Sequence, residues 1–350
     1  MIYYIIAYRI SGDSLFSADS LMPDFVSASG IATGGTGFVV RSTKGKFVGK
    51  LSMSLSIAMV LTAGAVNAAQ SAPLTAIGVE NEYADVIGQI SGKYVDVQAI
   101  ETDPNTDPHT FEASPKVARE IAAAGLIVVN GVGYDAWADM IMAAAPRPNR
   151  KVISVQKLLG LPDNTANPHL WYDPKTMPVV AEAVGDALSQ LDPAHATYFH
   201  KSVNRFIVSL QPWKAAIATF KAKYDKTPIA VTEPVADYML EAMGFNILTP
   251  FSLQKAIMDG TDPAPQDVTI QNGLFSGDKV KVFAYNQQVT DSLTKTFLDA
   301  SKRAGIPVVG VYETMPTPGY TYQTWMLAEV GALEKAVKDK VSTETLQNGH

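Results

Sequence analysis

From residue 73 onward, short apolar runs alternate with helical stretches, and the alternation is interrupted after about residue 190. Leu74 to Val79 and Tyr94 to Ile100 read as strands, and Leu126 to Asn130 as a buried one. Ser114-Pro115 opens a helix with Ser at the N-cap and Pro at the first helical position, and Gly125 stops it. The rhythm resumes beyond Pro228, with strands at Ile229 to Thr232, Lys279 to Tyr285 and Pro307 to Val311, then a last helix from Tyr322 to Lys338. Strands separated by helices pair in parallel and are covered on both faces. The interruption is a long helical stretch from Asp192-Pro193 to about Tyr224, with Tyr198, Phe199, Phe206, Leu210 and Ile217 near helical spacing. Pro212 is expected to kink it, because its ring removes a backbone donor. The expected fold class is thus α/β. Two βα lobes, residues 69–190 and 227–350, each a mostly parallel sheet flanked by helices, are joined by one long rigid helix over 191–226. Ligands of open α/β sheets bind outside the carboxyl ends of the strands, so the site is expected in the cleft between the lobes.

Composition narrows the chemistry. Of 350 residues 47% are hydrophobic and 18% charged, which supplies a sizeable core and excludes a disordered chain. A formal charge of −6 argues against a nucleic-acid partner, which needs clustered Lys and Arg. Cysteine is absent, which removes disulfides, thiolate zinc sites, a thiol nucleophile and a Cys-linked lipid anchor. Five histidines remain.

Residues 1–43 are polar and rich in Gly and Ser, with no sustained period. Lys44, Lys46 and Lys50 then precede an apolar stretch from Leu51 to Val66, and Val66-Asn67-Ala68 places small residues where a signal peptidase reads them. Residues 1–68 are accordingly expected to be an extension plus a signal peptide, cleaved near Ala68; residues 1–43 would reflect an upstream start codon. The remainder is expected to be a soluble, acidic, exported monomer.

Four side chains stand out at strand ends or in stiffened loops. His109 lies in Asp107-Pro108-His109, and His169 in Asn167-Pro168-His169-Leu170-Trp171; each follows a proline that restricts its backbone. Glu233 directly follows the strand ending at Thr232, and Glu313 follows the one ending at Val311. Two imidazoles from one lobe and two carboxylates from the other can make a four-residue shell for a divalent cation. The plainer alternative is two ordinary Pro-His loops and two carboxylates that favour helix N-termini. His195 and His200, five residues apart in the long helix, read as surface residues. Trp171, Tyr172 and Trp325 either wall the site or pack the core, and Asn130 either orients a ligand from behind or forms the turn before Gly131. Asp259-Gly260-Thr261-Asp262-Pro263 lacks EF-hand spacing and reads as a solvated loop.

The segments His109-Thr110-Phe111-Glu112-Ala113-Ser114-Pro115, Asn130-Gly131-Val132-Gly133-Tyr134-Asp135-Ala136-Trp137 and Asn167 to Trp171 resemble the zinc/manganese substrate-binding proteins of ABC transporters. The resemblance covers residues 73–340 or so. It implies a two-lobed receptor whose single long helix limits hinge motion, with His109, His169, Glu233 and Glu313 on the family's ligand positions. Glu233 falls where zinc members usually carry a third His and manganese members a Glu, while Glu313 replaces the common Asp. The His-rich loop of many zinc members is missing. The expected ligand is one divalent transition metal, Mn²⁺ favoured slightly over Zn²⁺, captured in the periplasm and delivered to an ABC-transporter membrane permease without catalysis. The alternative is an exported metal-dependent hydrolase on the same cleft metal, though no His-Glu-x-x-His helix or Gly-x-Ser-x-Gly elbow is present. A surface adhesin is a third class, disfavoured by the lack of an anchoring cysteine.

Overall fold

The structure, a computed structural model, describes residues 74–346, so the expected signal peptide and cleavage site lie outside the described residues. The first half runs β1 (Leu74–Glu80), α1 (Asn81–Ser91), β2 (Val95–Glu101), α2 (Pro115–Ala123), β3 (Leu126–Val129), α3 (Ala136–Ala144), β4 (Lys151–Ser154), α4 (Val155–Leu158) and α5 (Thr176–Leu191). Two helices follow, α6 (Ala196–Ser209) and α7 (Gln211–Tyr224). The second half runs β5 (Pro228–Val231), α8 (Asp237–Ala242), β6 (Asn246–Ile247), α9 (Phe251–Met258), α10 (Pro265–Ser276), β7 (Val282–Asn286), α11 (Ser292–Arg303), β8 (Val308–Val311) and α12 (Tyr322–Asp339). Each half builds one four-stranded, wholly parallel sheet, in the orders β2-β1-β3-β4 and β6-β5-β7-β8.

Strand periodicity explains how these sheets are covered. In β3, Leu126 and Val128 join the large central core, while Ile127 and Val129 face a separate outer cluster with Ile77, Val79 and Ile121. In β7, Val282 and Ala284 face the central core, whereas Phe283 and Tyr285 pack outward with Phe275 and Phe297. Successive strand residues point to opposite faces, so alternate apolar positions bury both. The central core also takes in Phe199 and Phe206 of α6, Trp213 and Phe220 of α7 and Trp325 of α12, so it runs continuously from one sheet to the other. Each such large side chain contributes about 1.5–3 kcal/mol of hydrophobic stabilisation.

The linking stretch departs from a single straight helix in two ways. Asp192-Pro193 does not start it directly: Pro193–His195 form a short 3-10 turn, with the Asp192 carboxylate 2.6 Å from His195 Nδ1, and the α-helix begins at Ala196. It is then interrupted at Leu210, and Pro212 sits in the first turn of α7, where its missing N–H costs nothing. The halves are also joined away from this helix. Asn81 exchanges two amide hydrogen bonds with the Met315 backbone, at 2.8 and 3.0 Å, and the Tyr322 N–H donates to Asp85 at 2.9 Å. No described helix is long and apolar enough to cross a membrane.

Candidate metal centre

The loop after β2 presents His109 through local hydrogen bonding. Asp107 Oδ1 accepts the His109 N–H at 2.8 Å, and Pro108 occupies the first position of a 3-10 turn. His169 is set by Asn167, whose Oδ1 accepts both the His169 N–H at 3.0 Å and ring Nδ1–H at 2.8 Å. Because Asn167 Nδ2 donates to the Pro234 carbonyl at 2.7 Å, its oxygen must face the imidazole. Nδ1 therefore carries the proton, and Nε2 turns a bare lone pair toward Glu313 Oε2, 3.1 Å away.

Glu313 lies two residues beyond β8 and is buried. Its Oε2 receives the Tyr134 hydroxyl at 2.9 Å and faces His109 Nε2 at 3.2 Å; its Oε1 accepts from Asn286 Nδ2 at 2.6 Å. Burial alone would raise the Glu313 carboxyl, but the hydrogen bond and positive charge that His109 turns toward it outweigh this and hold the group well below the usual carboxylate range. Burial lowers His169 and keeps it neutral. For His109 burial also acts downward, but Glu313 beside it prevails and raises the ring. A neutral imidazole lone pair against a carboxylate oxygen at 3.1 Å is an acceptor facing an acceptor, an arrangement that calls for a cation between them. His109, His169 and Glu313 each offer a ligand atom, all within 4.8 Å of one another, the one such group among the described residues.

Glu233 stands next to this trio. It is buried, and Asn286 Nδ2 reaches both its oxygens at 3.3 Å while bonding Glu313. Burial, then the Glu313 charge, push its carboxyl well above the usual range. It is thus a neighbour of Glu313 outside the gathered three. Trp171 walls the site, edge-on to His169 at 5.5 Å and to Tyr134 at 5.2 Å. Trp325 does not. Its indole N–H donates to Glu329 at 3.0 Å and its ring contacts are Tyr172 and Tyr322, because α12 turns that face into the central core. The Asn130 side chain donates to the Pro168 carbonyl at 2.8 Å, in the loop that carries His169, and Asn130 precedes a turn in which Gly131, Val132 and Gly133 all have positive φ. A Cβ on Gly131 would fall 2.8 Å from Gln156. His195 and His200 lie elsewhere, stacked on Tyr94 and beside Ser189. A cavity of about 400 Å³ opens over the centre, lined by His109, Tyr134, Thr165, Pro168, Met258 and Asp259.

Four residues at the centre escaped the sequence reading. Tyr134 and Asn167 lie inside motifs that had been singled out, but nothing in their types marks the Glu313 and His169 contacts. Asn286 ends β7, the position that drew attention to Glu233 and Glu313, yet it is neutral and so looked unremarkable as a ligand. Gln288 accepts the Glu313 and Thr314 backbone N–H groups at 2.7 and 2.9 Å and donates to the Thr106 carbonyl across the cleft.

Residues 80–336 match the family described as zinc-uptake complex component A, periplasmic (ZnuA). The chain belongs to this family. It is a family of metal-binding substrate-binding proteins of ABC transporters rather than of enzymes, and nothing in it supports the hydrolase alternative. Among curated relatives, the iron-binding protein YfeA of Yersinia pestis is 23% identical over 256 residues, covering 67% of this chain and 78% of that protein. The manganese ABC transporter substrate-binding lipoprotein PsaA of Streptococcus mitis is 23% identical over 168 residues, 45% of this chain and 54% of that protein. The periplasmic zinc-binding protein TroA of Treponema pallidum superposes with a TM-score of 0.64 at 17% identity, over 77% of this chain and 99% of TroA. The SBP FpvC of Pseudomonas aeruginosa, solved with Ni²⁺, gives 0.63 at 19%, over 79% and 100%. At these identities the structural matches establish the two-lobed fold.

Proposed function

We propose that this protein captures one divalent transition metal outside the cytoplasm and hands it to an ABC-transporter permease, with His109, His169, Glu233 and Glu313 as ligands. The observation that carries the reading is the bare His169 Nε2 held 3.1 Å from a buried carboxylate oxygen, with His109 completing three ligand atoms within 4.8 Å. A cation placed there replaces the proton on His109 and relieves the acceptor–acceptor contact. Two imidazoles with two carboxylates form a harder shell than three imidazoles, which suits Mn²⁺ or Fe²⁺ and favours Mn²⁺ slightly over Zn²⁺. The relatives named for iron, manganese and zinc fit a shell of this kind. The reading includes export through the signal peptide ending near Ala68 and action as a monomer. Capture is ligand exchange: side chains displace hydration water, and docking on the permease disturbs the shell to release the ion.

Metal titration of chelator-stripped protein, with elemental analysis of protein purified without added metal, tests it. One tight divalent site per chain is the expected result; no tight site, or two independent ones, would refute the assignment.

A further inference from the structure

The hydrogen bonds around Glu233 and Glu313 are unequal. Glu313 is fixed from several directions: the backbone by Gln288, Oε2 by Tyr134 and His109, Oε1 by Asn286. Among the described residues, the hydrogen bonds to the Glu233 carboxylate come from Asn286 alone. Asn286 is itself rigidly oriented. Its Oδ1 accepts the Gln288 N–H at 2.9 Å, so Nδ2 has to face the two carboxylates, and its N–H donates to Thr232 Oγ1 at 3.0 Å, next to Glu233 in the chain. An amide NH₂ has two hydrogens. One makes the short 2.6 Å bond to Glu313, and the other is shared across both Glu233 oxygens at 3.3 Å. Bonds of that length are weak, so an arriving ion can take one Glu233 oxygen while the amide keeps the other.

Resting on the reading of Glu233 as fourth ligand, we infer that Asn286 is the positioning residue that delivers Glu233 to the ion and so sets the preference for a hard cation over zinc. A neutral donor with two hydrogens is what two adjacent buried carboxylates need if both are to stay near one cation. A carboxylate in its place would repel both, and a hydroxyl could serve one. The consequence for selectivity follows from coordination number. Zn²⁺ is satisfied by four ligands and binds well to His109, His169, Glu313 and a water, whereas Mn²⁺ takes more oxygen and loses more when Glu233 is misplaced.

The test is chelator competition with Mn²⁺ and Zn²⁺ on the full chain as wild type, Asn286→Ala, Glu233→Ala and the double variant, with thermal unfolding of each metal-free protein. Asn286→Ala is expected to weaken Mn²⁺ about tenfold and Zn²⁺ by less than about threefold. In the Glu233→Ala background it should change Mn²⁺ affinity by less than about twofold, because its route through Glu233 is then gone and Tyr134 and Gln288 still hold Glu313. Asn286→Ser, which keeps one donor and a small polar side chain, should shift selectivity the same way if the alanine variant folds poorly. Equal losses for both metals, or the same Mn²⁺ loss with Glu233 absent, would overturn the inference. Wild-type protein that bound neither metal would refute the proposed function. Wild-type Mn²⁺ affinity in Glu233→Ala would remove Glu233 from the shell and the inference with it, leaving the three-residue site standing.

Discussion

The two sheets share one topology, yet their strand ends are used differently. In both, the third strand in sequence leads to an asparagine whose amide braces the site: Asn130 after β3 donates to the Pro168 carbonyl before His169, and Asn286 at the end of β7 donates to Glu313 and Glu233. The carboxylates diverge. Beyond β5 and β8, Glu233 and Glu313 have amide or imidazole partners. At the ends of β1 and β2, Glu80 and Glu101 are register neighbours, 2% and 5% exposed, and among the described residues no amide or imidazole donates to their carboxylates as Asn286 and His109 do to those of the second lobe; Glu82 in α1 is in the same state. A strand's carboxyl end delivers a buried acid in either lobe; burial raises Glu80, Glu101 and Glu233 alike, and only Glu313, with His109 beside it, is held low.

The largest effect should fall where the donors converge. Glu313→Ala and His169→Ala each remove a buried proposed ligand that others are arranged around, and metal affinity should drop by about three orders of magnitude or more, against one to two for outer supports. Isothermal titration or chelator competition reads this directly. A drop of less than tenfold for Glu313→Ala would erase the distinction drawn between the lobes' carboxylates. Next comes Asn167→Ala. It leaves every ligand in place but frees the His169 ring, so a loss of about 10–100-fold is expected, with Asn167→Asp recovering part of it because an oxygen still accepts Nδ1–H. Unchanged affinity would show that packing against Trp171 alone orients the ring.

The fold was largely legible because periodicity records burial on both faces of a parallel sheet. Strands such as Leu126–Val129 and Val308–Val311 are continuous apolar runs, and Ser114-Pro115 marks a helix start that the Ser114 hydroxyl does cap. Two strands escaped notice. Lys151–Ser154 is an edge strand with Val152 exposed, and Asn246–Ile247 is two residues long, too short to show a period. At the site, His109, His169, Glu233 and Glu313 stood out as candidates because ligand chemistry restricts residue type, and the structure gathers His109, His169 and Glu313. Tyr134, Asn167, Asn286 and Gln288 act through hydrogen bonds between segments up to 182 positions apart, as from Gln288 to Thr106, and no local pattern encodes such pairings. Trp325 illustrates an open alternative: site wall and core were both legible readings, and the structure packs it in the core, since the sequence does not say which way a helix face turns.

The smallest effect on binding, and the sharpest test of the comparison, belongs to the first lobe's acids. Burial raises Glu80 and Glu82 well above the usual carboxylate range and Glu101 to about 8; burial likewise takes Glu329 to about 8. A carboxyl whose folded pKa exceeds its unfolded value binds more protons when folded. Its stabilising contribution is complete below about pH 4.5 and is lost as pH rises toward 8. His109, raised by Glu313 against burial, acts in the same direction; His169, lowered by burial, opposes it. Glu313, held low by His109 against burial, loses its contribution only below about pH 4.5. The metal-free protein should therefore be most stable near pH 5 and lose melting temperature steadily toward pH 8. Glu80→Gln with Glu101→Gln replaces the titrating pair by amides that can donate to one another. That variant should flatten the slope, melt above wild type at pH 8, and leave metal affinity within about threefold, since neither carboxylate belongs to the gathered ligand set. A melting temperature of the metal-free wild type that climbs from pH 5 to 8 would mean that these acids are ionised in the folded protein. The contrast between a liganding lobe and a neutral one would then fail.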